Sequence, residues 1–175
     1  MIGSGRLHPF DVVLALRLLR PVGTLVEIAH ELSVVPSQVH AALRRLEFAG
    51  LIRPGTRATN RHALAEFLEF GVRYAFPARV GNEAVGVPTA HSAALLSAHI
   101  SAVDAFVWPS PRAVGAIRGY AVQPLYAGAV GLREKSPETY QLVALVDALR
   151  VGNARERSLA RLHLKDALSP GSAAA

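Results

Sequence analysis

Cysteine is absent from the 175 residues, which excludes disulfides, iron–sulfur clusters, cysteine zinc sites and thiol catalysis. Lysine is nearly absent too: only Lys135 and Lys165 occur, so the basic charge is almost all arginine. Charged residues make up only 18 % of the chain against 51 % hydrophobic ones, which permits a substantial core and argues against wholesale disorder. Long apolar runs are missing as well. The stretch Val12–Leu19 is interrupted by Arg17 and falls short of the roughly 20 residues a membrane helix needs. With no targeting segment either, a soluble cytoplasmic protein without a membrane partner is expected.

The motifs of catalysis are also lacking. There is no G-x-x-x-x-G-K-[ST] loop for nucleotides and no G-x-S-x-G elbow. Thr89-Ala90-His91-Ser92 sets hydroxyls beside an imidazole, but sequence neighbours do not make a triad. His91, His99 and Asp104 form the closest group of mixed metal donors, at a spacing that puts them on no common helical face. The expectation is no enzyme, no cofactor and no metal site.

What is present is a local basic surplus. The net charge is +6, and Arg44, Arg45, Arg53, Arg57 and Arg61 are accompanied by only one acid, Glu47, within that segment. Such a surplus favours an anionic partner, although a simply solvated basic face has the same composition. Around it the pattern is helical. A first helix is predicted from about Pro9 to Leu19, with Phe10, Val13, Leu14 and Leu18 on one stripe and Val12, Leu16 and Leu19 on a second. A helix apolar on two sides needs two partners, its own core and a further domain or subunit. A second helix opens at Thr24, with Glu27 completing a capping box. After Ser33-Val34-Val35, Pro36 opens a third that runs to about Ala49, with Gly50 as its stop. Val39, Ala42, Leu43 and Leu46 form the inner stripe of that third helix. Its outer face carries Ser37, Ala41 and Arg44, flanked by His40 and Arg45, with Gln38 at the margin. Leu51-Ile52-Arg53 then reads as a short strand, and Pro54-Gly55 turns the chain toward Asn60.

Helix, short turn, helix and a strand with a basic loop is the pattern of a winged helix-turn-helix. The segment TLVEIAHELSVVPSQVHAALRRLEFAGLI (Thr24 to Ile52) resembles the core of bacterial winged helix-turn-helix regulators, including the MarR-like group, over about residues 8–62. The resemblance implies a recognition helix at about 36–49 bearing Ser37, Gln38, His40, Ala41, Arg44 and Arg45. It also implies a basic wing at about 53–61 bearing Arg53, Arg57 and Arg61. Glutamine pairs with adenine, arginine with guanine O6/N7, and alanine touches a thymine methyl, while wing arginines sit on phosphates or enter the minor groove. Two features depart from the MarR-like pattern. The wing is short and lacks an Asp-x-Arg tip, and no long C-terminal dimerisation helix is evident.

Beyond residue 70, Pro77, Pro88, Pro109, Pro111 and Pro124 with frequent glycines suit short strands and loops. Asn60 is predicted to cap a helix ending at Gly71. Val72–Val80 and Glu83–Val87 are predicted to form a hairpin about Gly81-Asn82, and Phe106–Trp108 with Ala116–Val122 a second strand pair. A short helix is expected at Ala93–Ile100. Ser136-Pro137-Glu138 and Asn153 open two last helices joined at Gly152. Phe76, Phe106, Trp108, Tyr120 and Tyr126 line either an effector pocket or simply the core of this region.

The fold class predicted is α+β: a winged helix-turn-helix over 1–70, then a mixed strand and helix region over 71–175 for dimerisation, partner or effector, ending in a helical hairpin. The function expected is a transcriptional regulator binding double-stranded DNA as a homodimer. The alternative is a protein-interaction adaptor, or an autoregulating antitoxin-type protein with an operon-encoded partner, suggested by the apolar excess and the second stripe of the first helix.

Overall fold

The computed structural model describes residues 5–21 and 23–169, and within them the fold is mixed α+β. Helix α1 (Pro9–Arg17) starts with proline at its first position and a capping box in which Asp11 accepts the backbone N–H of His8 at 2.8 Å. Its entire length from Phe10 to Arg17 is buried. The two apolar stripes therefore both find partners, and both are within the chain: α3 (Pro36–Phe48) on one side and α8 (Pro137–Val151) on the other.

Helix α2 (Leu25–Glu31) carries the Thr24–Glu27 box, with the Glu27 N–H donating to Thr24 Oγ1 at 3.2 Å and Glu27 Oε2 accepting from the Thr24 N–H at 2.7 Å. Arg17 forks onto the Glu31 carboxylate, through Nε and, at 3.0 Å, through Nη2, tying α1 to α2. Both α2 and α3 end in the same way. Ser33 (φ 55) and Gly50 (φ 72) take left-handed backbone, and the next residue's N–H returns to the last turn, Val34 to Ala29 O and Leu51 to Leu46 O, each at 2.9 Å. These are Schellman closures, and serine at the first of them has no glycine freedom to ease the left-handed geometry.

Past α3, Ile52 and Thr59 form a single antiparallel bridge, and the buried Thr59 hydroxyl donates to Ala15 O at 2.9 Å, pinning this narrow loop to α1. Asn60 caps α4 (Arg61–Glu66). The helix does not stop at Gly71 as predicted but passes through a π-helical turn (Phe67–Gly71) into α5 (Val72–Ala75). The boundary expected at residue 70 thus lies inside a continuous helical run. One hydrophobic core, from Phe10 through Leu64 and Trp108 to Leu168, extends across it.

The sheet has three strands, β1 (Val80–Pro88), β2 (Phe106–Pro109) and β3 (Ile117–Val122), each paired with both others, so that they close into a minimal barrel. Both β2 and β3 run antiparallel to β1 and parallel to each other. The Gly81-Asn82 hairpin is not formed. These residues lie within β1, at a register irregularity between Val80 and Glu83, because β3 pairs on both sides of them. So tight a closure needs glycine. A Cβ at Gly86 would stand 1.9 Å from Trp108 O, and one at Gly119 would stand 2.5 Å from Ala105 O. The helix expected at Ala93–Ile100 is shorter, comprising a 3₁₀ turn (Ala90–Ser92) and α6 (Ala94–Ser97).

A further 3₁₀ segment (Ala127–Gly131) and α7 (Leu132–Lys135) lead into α8, and α9 (Ala154–Leu168) folds back on α8 after the Asn153–Glu156 box. The barrel is held to α8 by a fully buried polar cluster. Asp147 Oδ2 accepts from Thr89 Oγ1 at 2.8 Å and Trp108 Nε1 at 2.6 Å, and Oδ1 from Arg150 Nη1 at 2.6 Å. Trp108 is itself fully buried in the core, with Phe76, Phe106 and Tyr126 partly buried against it, while Tyr120 is half-buried on β3. Among the described residues no helix is long and apolar enough to cross a membrane.

Candidate nucleic-acid interface

The inner side of α3 is fixed by Val39, Ala42 and Leu46, all fully buried, with Leu43 half-covered. A helix held on that stripe turns Ser37, Gln38, His40, Ala41 and Arg44 outward, and all five are exposed. Among the described residues none of their side chains makes a hydrogen bond or ion pair within the chain. Val35, an apolar residue, stands at the N-cap before Pro36, so α3 begins without a side-chain cap, and Pro36, Ser37 and Gln38 of its first turn are exposed.

Arg45 departs from the expected set. It sits one residue from Arg44, but 100° of helical rotation carries it toward α1, where Nε donates to Asp11 Oδ2 at 2.7 Å and Nη2 to Oδ1 at 2.6 Å. Asp11 is fully buried. The bidentate bond raises the pKa of the Arg45 guanidinium, and the side chain is only 16 % exposed. Arg45 is a brace between α1 and α3, because a buried carboxylate needs a fixed cation more than the surface needs another one.

Arg61 departs in the same way. It lies at the first position of α4, half-buried, and donates to Ala167 O at 3.2 Å and Leu19 O at 3.4 Å, joining α4 to α9 and to the turn after α1. Cations near the last carbonyls of a helix are stabilised by its dipole, which accounts for this placement at the end of α9.

Arg53 and Arg57 stay on the exposed loop after α3. The loop is shaped by its own chemistry: Gly55 (φ 67) makes the turn, and its N–H donates to Glu47 Oε1 at 2.8 Å. The one acid of the basic segment is thereby occupied in holding the loop against α3. Arg57 Nη1 donates to Gly23 O at 2.8 Å, across to the segment before α2, while Arg53 makes no side-chain bond among the described residues. Arg44, Arg53 and Arg57 are all exposed.

Sequence reasoning missed what sets the aim of α3. Ser33 Oγ, in the turn before it, accepts from Lys135 Nζ at 2.9 Å. Gly128 lies so close that a Cβ there would be 2.8 Å from Leu32 O. The second half of the chain therefore grips the turn. No local signal could have shown this, since Ser33 and Lys135 are 102 positions apart. His91, named among possible metal donors, is buried instead, with Nε2 donating to the Asp104 carbonyl at 2.8 Å and its ring against Phe106. Among the described residues no three histidine, aspartate or glutamate side chains gather as a metal site. Comparison of the chain with protein-family models, with curated proteins and with solved structures gave no match.

Proposed function

We propose that the chain is a sequence-specific transcriptional regulator of the winged helix-turn-helix kind, binding double-stranded DNA as a homodimer. The observation that carries this reading is the outer side of α3, where five neighbouring positions are exposed and have no side-chain partner among the described residues. In this reading α3 enters the major groove. Gln38 and Arg44 reach base edges, Ala41 meets a thymine methyl, and Ser37 and His40 bond to phosphate or base. Arg53 and Arg57, on a loop held beside α3 by Glu47, lie on the flanking backbone. Arg45 and Arg61 have no place in it, since their guanidinium groups are engaged inside the fold. The α2 turn with its Schellman closure corresponds to the turn of the motif, and the Ile52–Thr59 bridge to a wing reduced to its base.

Selection of bound duplexes from a random pool tests the reading. The expected result is an enriched sequence with two-fold-related halves, whose centres lie about one helical turn apart or a multiple of it. Arg57→Ala should weaken binding to all duplexes alike and reduce the salt slope by about 1. A pool that emerges without enrichment, from protein that binds no duplex at low salt, would sink the reading.

A further inference from the structure

On the side formed by α4, the π-helical turn and α9 lies an open groove of about 610 Å³. Its floor is apolar, made by Leu68, Leu149, Leu164 and Leu168. Two large apolar side chains stand at its edges in water, Phe70 at 66 % exposure from the π turn and Leu162 at 55 % from α9. Tyr74, one turn beyond Phe70, is also exposed. A π turn is a less favourable backbone than a continuous α-helix and is concentrated at functional places; here its residues include the exposed Phe70.

The walls differ in charge. The α4 side and the π turn bring Glu66 and Glu69, and the α9 side brings Arg161 and Lys165. Arg161 Nε lies 3.8 Å from Glu69 Oε1, too far for a hydrogen bond, and has no other partner among the described residues.

We infer that this groove is the face through which two copies of the chain associate. The argument is one of self-complementarity. A two-fold axis running along the groove, parallel to its walls, sets each acidic wall against the partner's basic wall and each Phe70 toward the partner's Leu162, which makes the face self-complementary as an isologous contact requires. It also suits a chain of net charge +6, because the groove carries Glu66 and Glu69 against Arg161 and Lys165 and so adds no net charge to the contact. The inference rests on the two-copy part of the proposed function and places it.

The test is the mass in solution, measured by sedimentation equilibrium without DNA at micromolar chain concentration. The wild-type chain should sediment at twice 18.6 kDa. Reversing one wall, Glu66→Lys with Glu69→Lys, or the other, Arg161→Glu with Lys165→Glu, should give monomers whose circular dichroism is unchanged. Mixing the two reversed proteins should restore the dimer mass, because each then meets the wall it needs. Phe70→Ala, at an exposed position, should weaken association about tenfold or more and stands in if a reversed protein fails to fold. A monomeric wild type overturns the inference and leaves the groove to a different occupant. So do reversed variants that remain dimers, or a mixture that stays monomeric. DNA titration of the same samples separates the two readings. A monomer that binds duplex removes the two-copy part alone, whereas a dimer that binds none removes the DNA reading and keeps this face.

Discussion

Asp147 is bonded by Thr89, Trp108 and Arg150, whereas the outward side chains of α3 have no partner among the described residues. Both places combine arginine with small polar residues, and both lie on long helices. At α8 the carboxylate is fully buried, and its pKa is raised by desolvation against the opposing pull of Arg150, Trp108 and Thr89. Such a cluster is tolerable only when every member is satisfied. On α3 the outward side chains are exposed, so no buried contact of the fold is made through them. The difference separates residues that hold the molecule together from residues free to meet another molecule.

The most severe way to probe the comparison is Asp147→Ala. It strands Trp108 Nε1, Thr89 Oγ1 and Arg150 in the core, and should lower stability by ~3–5 kcal/mol in urea unfolding. A loss of only about 0.5 kcal/mol or less would mean that the buried cluster does not anchor the barrel to α8.

The adjacent arginines of α3 give a sharper version. Arg45→Ala removes the cation from buried Asp11 and should cost ~2–3 kcal/mol of stability. Arg44→Ala should leave stability within ~0.5 kcal/mol and lose ~1–3 kcal/mol of affinity for the selected duplex, with relaxed specificity. Equal effects of the two substitutions on unfolding would erase the distinction between inner and outer faces.

The smallest effect expected is at Glu27, whose carboxylate is held below its ordinary value of 4.5, first by the Thr24 backbone N–H and then by its hydroxyl. A folded pKa below the unfolded one means the contribution is present above pH 4.5 and lost as pH falls through the folded value. Thermal melting of Glu27→Gln should therefore fall below wild type near neutrality and converge with it in acid. A gap that persists in acid would assign the effect to something other than the ionised cap.

Features written in a few neighbouring residues were legible in the sequence. Thr24 with Glu27, Pro36, Gly50, and Asn153 at the last helix all lie where the caps and stops of real helices are, because capping is a contact over three or four positions. What depended on distance was not. Asp11 claims Arg45 from 34 positions away, and Arg61 reaches the end of α9 across 106. Gly81-Asn82 has the composition of a turn, yet β3 pairing keeps it in a strand. The two stripes of α1 were read correctly as needing two partners, but only the fold reveals that α8 supplies the second in the same chain. The second stripe of α1, one of the features that suggested a docking adaptor, is covered there.

Burial of α1 from Phe10 to Arg17 ties the segment from α1 to α3 to the rest of the chain. A fragment ending at residue 70 would lose α8 from one side of α1 and Lys135 from the turn at Ser33. It would leave α1 residues that are now at zero exposure, among them Val12, Leu16 and Ala15, without part of their cover. Grafting residues 8–62 onto another protein would transfer the outward residues of α3 but not the bearing that fixes where they point. The second half of the chain is in this sense the mounting of the first.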